Sequence, residues 1–434
     1  MKGGIADVYL LQLQRFYTQR ISMCIDSSAM EIKVCDAIMG AGKTESAITL
    51  INTDTASRYI FITPYLDEVD RIQKGCAARH FITPRNFGQG KLHHLHQLLK
   101  NGANIASTHA LFKTYSAETL QLLRQRHYKL ILDEVCSVTE QIEIHGDDIQ
   151  MLLDQKIISC SDNSTVKWED NTYHGEFSAL KENCLAGNLS LYQNHLMLWT
   201  FPVEIFAAFD DVLILTHLFD AQIQKYYFDM HGVTLRQIGT AYTNGQYHFC
   251  DTPTMPDSVK GLKEKIHILD NPKLNAIGDN PYALSVSWYE RAKKAQGKPQ
   301  LKALKNNLFN YFHNIVKAPS AQTLWTTFKD YQRPLSGKGY TSGFLSYNAR
   351  STNEYRGRHY LAYCANVFFH PFMKHYFAHF GIEVQQDTYA LSEMLQWIWR
   401  SAIRDGEEIW LYIPSSRMRT LLMRWLDGLE DNHE

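Results

Sequence analysis

The chain lacks three features that would each have decided its class at once. It has no CxxC pair: its eight cysteines, at positions 24, 35, 76, 136, 160, 184, 250 and 364, follow no regular spacing. That excludes a zinc ribbon and a disulfide framework, and suits reduced thiols in a cytosol. It has no excess charge of one sign, with 44 Lys plus Arg against 45 Asp plus Glu. A protein that coats nucleic acid through bulk basicity is therefore excluded, and any polyanion partner must be met by a local patch. Finally, it has no uninterrupted apolar run of membrane length. The short apolar patch from Val8 to Leu13 is interrupted by Gln12 and followed by Arg15 and Arg20. Neither a signal peptide nor a membrane span is expected, so the protein should be soluble and cytoplasmic, with no membrane partner. Internal repeats and long low-complexity tracts are absent as well.

What is present is an alternation of short apolar runs with longer amphipathic stretches. Residues 32–36, 59–63, 104–107, 129–133 and 212–216 are β-branched or apolar on both faces, the mark of buried parallel strands. Helical stretches at about 43–52, 65–78, 91–100 and 110–126 fall between them, as βαβ units require. The expected fold class is α/β, with two parallel-sheet domains and an insertion in the first. Domain 1 covers 1–250, and its insertion, about 136–205, sits between two strands because the strand-like DVLILT follows directly. Domain 2 covers 251–434, opening after the turn cluster CDTPTMPD, with candidate strands at 265–270, 343–347, 359–363 and 408–413.

Three motifs carry chemistry. AIMGAGKT, residues 37–44, follows the strand EIKVCD and precedes the helical KTESAITLIN. Such a turn lets backbone N–H groups and the positive helix end wrap a polyphosphate, with Lys43 on the terminal phosphates and Thr44 on magnesium. The expected cofactors are ATP and Mg2+, contacted by Met39, Gly40, Ala41, Gly42, Lys43, Thr44 and Glu45. Ala37 stands where the strict pattern has Gly and is small enough for the turn. KLILDEV, residues 129–135, is an apolar strand ending in two carboxylates. Asp-Glu is commonly only a strand-end turn; beside a phosphate loop, Asp133 can hold magnesium through water while Glu134 orients or deprotonates the attacking water. In LSEMLQWIWRSAIRDG, Gln396, Arg400 and Arg404 fall at i, i+4 and i+8, one face of a helix. Arginines so spaced are usually solvated; here apolar Trp397, Ile398, Trp399, Ala402 and Ile403 leave the polar triplet as a distinct stripe, placed to act on nucleotide phosphates.

These motifs, in this order, resemble those of the superfamily 2 helicases and translocases, particularly the DEAD/DEAH-like ATPases of bacteriophages and mobile elements. AIMGAGKT is similar to their motif I, ITPYLDEVDRI (62–72) to motif Ia, ASTHALF (106–112) to the next DNA-contacting motif, and LDEV to motif II. ILTHLFDAQI (214–223) takes the place of motif III, with Thr216, His217 and Leu218 where the family has Ser/Thr-Ala-Thr; FLSYNARSTNEYRGRHYLAY (344–363) resembles motif V, and 396–404 resembles motif VI. The resemblance implies two RecA-like domains that bind ATP and step along nucleic acid, in a bacterial or phage-infected cell. It implies an arginine finger; the family's two motif VI arginines are three residues apart and Arg400 and Arg404 are four, so the assignment stays open between them. It further implies nucleic-acid contacts at Thr63, Pro64, Thr108, His109, Arg350 and Asn353, with DNA ahead of RNA as the partner.

Two local features admit two readings each. Residues 291–329 hold eight Lys or Arg and no Asp or Glu, interleaved with Phe309, Tyr311, Phe312, Trp325 and Phe328. This suits a stacking groove for nucleic acid as well as a helix pair with buried aromatics and a solvated basic face. His93, His94 and His96 invite a metal, but without a nearby carboxylate or cysteine at ligand spacing they read as a helix surface. Two rival functions share the phosphate loop: a viral DNA-packaging motor, which would carry an acidic nuclease cluster not evident in 255–434, and a nucleotide-gated scaffold acting on a protein partner through the 136–205 insertion.

Overall fold

The computed structural model describes residues 30–160, 165–170, 172–192, 196–252, 261–294, 296, 298–349 and 354–431. They form two compact units, one of 30–36, 43–252 and 377–382, the other of 37–42, 261–376 and 383–431. Both are α/β with a parallel sheet, the fold class expected.

In the first unit the chain lays down β1 (Glu31–Asp36), β2 (Arg58–Thr63), β3 (Ile105–Thr108) and β4 (Tyr128–Asp133). Five consecutive residues of β2, Tyr59 through Thr63, are buried. Parallel strands covered on both faces need just such continuous apolar runs. Next come β5 (Thr139–Gln141), β6 (Ile158–Cys160), β7 (Val166–Trp168), β8 (Leu189–Tyr192) and β9 (Leu196–Thr200), then β10 (Asp211–Thr216), β11 (Thr234–Thr243) and β12 (Gln246–Cys250). The main sheet runs β12-β11-β1-β10-β4-β2-β3, parallel except for the β11–β12 hairpin. Helices α1 (Lys43–Thr53), α2 (Leu66–Gly75), α3 (Lys91–Lys100), α4 (Ala117–Arg126) and α5 (Ile223–Met230) make the crossovers and flank the strands. The insertion between β4 and β10 is two small antiparallel sheets, β5-β9-β8 and β6-β7. Lys113 anchors it, pairing with Glu140 and lying 4.4 Å over the Trp199 ring.

The second unit holds β13 (Ile266–Ile268), β14 (Thr323–Thr326), β15 (Tyr360–Tyr363) and β16 (Ile409–Tyr412), all parallel in the order β13-β16-β15-β14. Around it lie α6 (Val286–Lys293), α7 (Lys298–Phe309), α8 (Gln386–Ile398) and α9 (Ser416–Asp431). One expectation is corrected here, and one open reading is decided. Residues 343–347 are not a strand: the backbone leaves a 3₁₀ turn, Thr341–Gly343, and only Phe344 bridges to Trp325, with Gly343 so close to β14 that a Cβ there would lie 2.2 Å from the Thr323 carbonyl oxygen. And the aromatics of 291–329 are largely core, Tyr311, Phe312 and Trp325 being at most 3% exposed. Burial of such large rings outweighs any gain from displaying them, so this segment is a packed helix and strand with a basic outer face.

No disulfide links any of the seven described cysteines. No helix among the described residues is long and apolar enough to cross a membrane.

Candidate functional site

The parallel strands of the first unit share one design: an apolar run that ends on a polar residue. At the carboxyl edge of the sheet these ends form a row, Asp36 paired in register with Thr216, Asp133 beside them opposite Leu215, and Thr63 paired with Thr108. In open parallel sheets, this is the edge where ligands bind.

Each member of the row is fixed by its neighbours. Asp36 accepts the N–H groups of Leu218 and Phe219, both at 2.8 Å, and its Oδ1 lies 3.7 Å from His217 Nδ1. Burial alone would raise this carboxyl, but the bonds from His217 and the two amides outweigh it and hold the group below the usual carboxylate range. The Thr63 hydroxyl donates to Asp133 Oδ2 at 3.2 Å, and His109 Nε2 donates to the Asp133 carbonyl at 2.9 Å. Glu134, the next residue, adopts φ +63° and donates its N–H to the Leu215 carbonyl at 2.8 Å, which bends the chain sharply off β4.

Asp133 carries the most perturbed carboxyl of the row. Burial first, then the neighbouring charges of Glu134 and Glu68, push it up to about 7, against the Thr63 hydroxyl and the Lys43 ammonium, which draw it down. Lys43 and Thr44 open α1 directly after the turn 37–42. In that turn the Ala41 N–H donates to the Ile38 carbonyl, and Gly40 and Gly42 take φ +87° and +77°. Only glycine adopts such angles readily, so the pattern supplies glycine where the turn demands it. Glu45 is half exposed and accepts Arg71 Nη2 at 2.6 Å; Arg71 also pairs with Glu68 at 3.1 Å, clamping the first turns of α1 and α2 together.

The residues present fit a nucleotide and a divalent cation. Thr216 Oγ1, between Asp36 and Asp133 in the row, is wholly buried and lacks a hydrogen-bond partner among the described residues. The Asp133 carboxyl, crowded by two other carboxylates, is a group that a cation would ionise.

Several residues stand differently from their expected places. Thr63 is fully buried with its hydroxyl on Asp133, and His109 braces the Asp133 carbonyl, so both support the carboxylate turn. Pro64 and Thr108 are partly accessible beside them. Gln396, Arg400 and Arg404 do not share one helix: α8 ends at Ile398, leaving Gln396 in its last turn, Arg400 in the turn beyond and Arg404 in a separate 3₁₀ turn. The physical cause is Ser401, whose hydroxyl bonds back to the Ile398 carbonyl while the next N–H, of Ala402, donates to Arg358. Arg350 and Asn353 lie outside the described residues. His96 is buried, with Thr119 at 2.8 Å and Glu118 at 3.2 Å, whereas His93 is on the surface of α3. Asp36 and His217 were not among the expected site residues. Their signal was readable for Asp36, a charge ending an apolar strand immediately before the glycine turn.

Comparison with known proteins gives the chain a family. Residues 139–199 match the model described as the YonV middle domain, and 260–426 that of the YonV C-terminal Rossmann-like domain. Among solved structures the chain is similar to an apo XPD (11% identity, TM-score 0.47, covering 95% of this chain and 98% of that one) and to S. tokodaii Xpd4 (10%, 0.47, 95% and 97%). A curated relative is the SPbeta prophage-derived uncharacterized protein YonV of Bacillus subtilis (strain 168), 43% identical over 412 residues, which span 92% of this chain and 99% of that protein. The chain belongs to the YonV family.

Proposed function

We propose that this protein is a nucleic-acid-dependent ATPase of the superfamily 2 helicase or translocase type, coupling hydrolysis to movement along a strand. One observation carries the reading: a carboxylate pair, Asp133 and Glu134, held at the carboxyl edge of a parallel sheet whose β1 leads through a glycine turn into Lys43 and Thr44. Backbone and lysine donors on the phosphates, a cation held by a hydroxyl and a carboxylate, and a second carboxylate beside the attacking water make up the arrangement phosphoryl transfer needs. Met39 through Glu45 form the phosphate contact, with Lys43 on the terminal phosphates. Thr44 and Asp133 hold magnesium, which when bound neutralises phosphate charge. Glu134 orients the attacking water and takes its proton. Arg400 or Arg404, supported by Gln396, stabilises the transferring phosphoryl group; Pro64, Thr108, Arg350 and Asn353 contact the nucleic-acid backbone, DNA ahead of RNA. The prophage origin of the relative supports a phage or mobile-element setting in a bacterial cytoplasm.

Lys43→Ala should reduce ATP hydrolysis by about a thousandfold, and Glu134→Gln should bind ATP without turning it over. Radiolabelled ATP retained through gel filtration, together with phosphate release, separates the two effects. Wild-type turnover in either variant contradicts the assignment.

A further inference from the structure

From Arg71 to Ala117 the chain carries seven Lys or Arg, five His and no Asp or Glu. In a protein of net charge −1 this is a concentrated basic segment. Its exposed members include Lys74, His80, Arg85, Lys91 and His93, whereas Arg71, Lys100 and Lys113 pair with carboxylates outside the segment. At its centre, the loop before α3 displays Phe87 at 72% exposure, the highest of the large hydrophobic side chains among the described residues.

The loop is held rigidly. Ile82 pairs in parallel with Ile105 at the start of β3, so the chain runs beside β3 toward the carboxyl edge, where Thr63 and Thr108 lie. Asn86 Oδ1 accepts the N–H groups of Gly88 and Gly90, both at 2.9 Å, and these glycines take φ +98° and +87°. The Arg85 N–H donates to His94 Nδ1 at 2.9 Å, and the His94 ring meets Phe87 edge-on with centroids 4.9 Å apart. The ring is thus displayed to solvent and braced by His94, with Arg85 two residues before it and Lys91 four residues after it in the chain, the combination of aromatic and basic groups that loops use in recognition.

We propose that this loop is a base-stacking contact for a single-stranded polynucleotide, Phe87 receiving a base on its ring while Arg85 and Lys91 meet the flanking phosphates. The inference rests on the reading of the protein as a motor on nucleic acid and supplies the group that grips the bases. Every base has a π face, so such a contact tolerates any sequence, as a motor's track requires. The absence of acidic residues across the segment favours a polyanion over a protein as the occupant.

The test uses the full chain with fluorescein-labelled oligothymidylate, oligouridylate and a hairpin duplex, read by anisotropy across a salt series. A strand containing 2-aminopurine reports stacking directly. Phe87→Ala should weaken single-strand binding about tenfold and remove the 2-aminopurine quench, with the salt dependence unchanged. Phe87→Trp should retain both. Arg85→Gln and Lys91→Gln should each flatten the log–log salt slope by about 0.7. The two single-stranded arms tell DNA from RNA. Single-strand binding by Phe87→Ala equal to wild type overturns the proposal, as does a wild-type chain that binds neither strand. ATP hydrolysis by the wild type is measured alongside: turnover with no Phe87 effect overturns the loop alone, whereas Phe87-dependent binding without turnover upholds the loop and overturns the nucleotide site.

Discussion

Two side chains at the carboxyl edge hold backbone angles that L residues avoid. Glu134 sits at φ +63° and Leu218 at φ +52°, each immediately beyond the row of polar strand ends. Left-handed backbone at a bulky residue costs about 1–2 kcal/mol and persists only where the surroundings enforce it. Here they do: the Glu134 N–H is tied to Leu215, and the Leu218 N–H to Asp36. The strain bends the chain so that the Glu134 side chain leaves the strand line at its tip. Glu134→Gly should therefore abolish hydrolysis while leaving the melting temperature equal to or above that of Glu134→Ala, by up to about 1 kcal/mol in stability, since glycine takes the angle freely. Paired thermal melts and phosphate-release assays check this, and a Gly variant less stable than the Ala variant contradicts it.

At the scale of elements, the opposite end of the same sheet is closed by Asp54, which follows α1. Its carboxylate accepts Lys129 of β4 at 2.7 Å, the Tyr59 hydroxyl of β2 at 2.8 Å and the Ser57 N–H at 3.2 Å. The Lys129 bond is the chief cause that holds this carboxyl far below its usual value. A depressed folded-state value means stabilisation that is fully present above about pH 4 and is lost as the pH falls through the folded value. Asp54→Asn should cost on the order of 1–2 kcal/mol near pH 7, and the gap to wild type should close as the pH falls below about 4. Melts across pH decide it; a gap that widens in acid contradicts the assignment. Five strands of the first sheet, β1, β2, β3, β4 and β10, were legible because each is a short, continuous apolar run ending in a polar residue, and Asp133 could be read as such a strand end; β11 and β12, mostly exposed or half-buried, lack such a run. The turn at 37–44 was legible for the same local reason, its glycines falling where positive φ is needed. What sequence periodicity could not supply was the end of α8. Gln396, Arg400 and Arg404 keep helical spacing in sequence, but the Ser401 hydroxyl and the Ala402–Arg358 bond take the backbone elsewhere. Nor could it show that β14 passes through the basic, aromatic stretch, because buried and displayed rings look alike in sequence.

For the molecule as a whole, net charge near zero hides two basic segments free of acidic residues, 71–117 in the first unit and 291–329 in the second. The motor proposed here needs no bulk positive charge, only cations confined to the path of its track. Binding through such patches should weaken steeply with salt, and hydrolysis should depend on what occupies them. The measurement that tests the account most directly is steady-state ATP hydrolysis by the full chain with and without single-stranded DNA, duplex DNA and RNA, at low and moderate salt. The account predicts stimulation of at least about tenfold by one of these polymers, diminished by salt. A slow rate indifferent to all of them would contradict it and favour a nucleotide-gated scaffold instead.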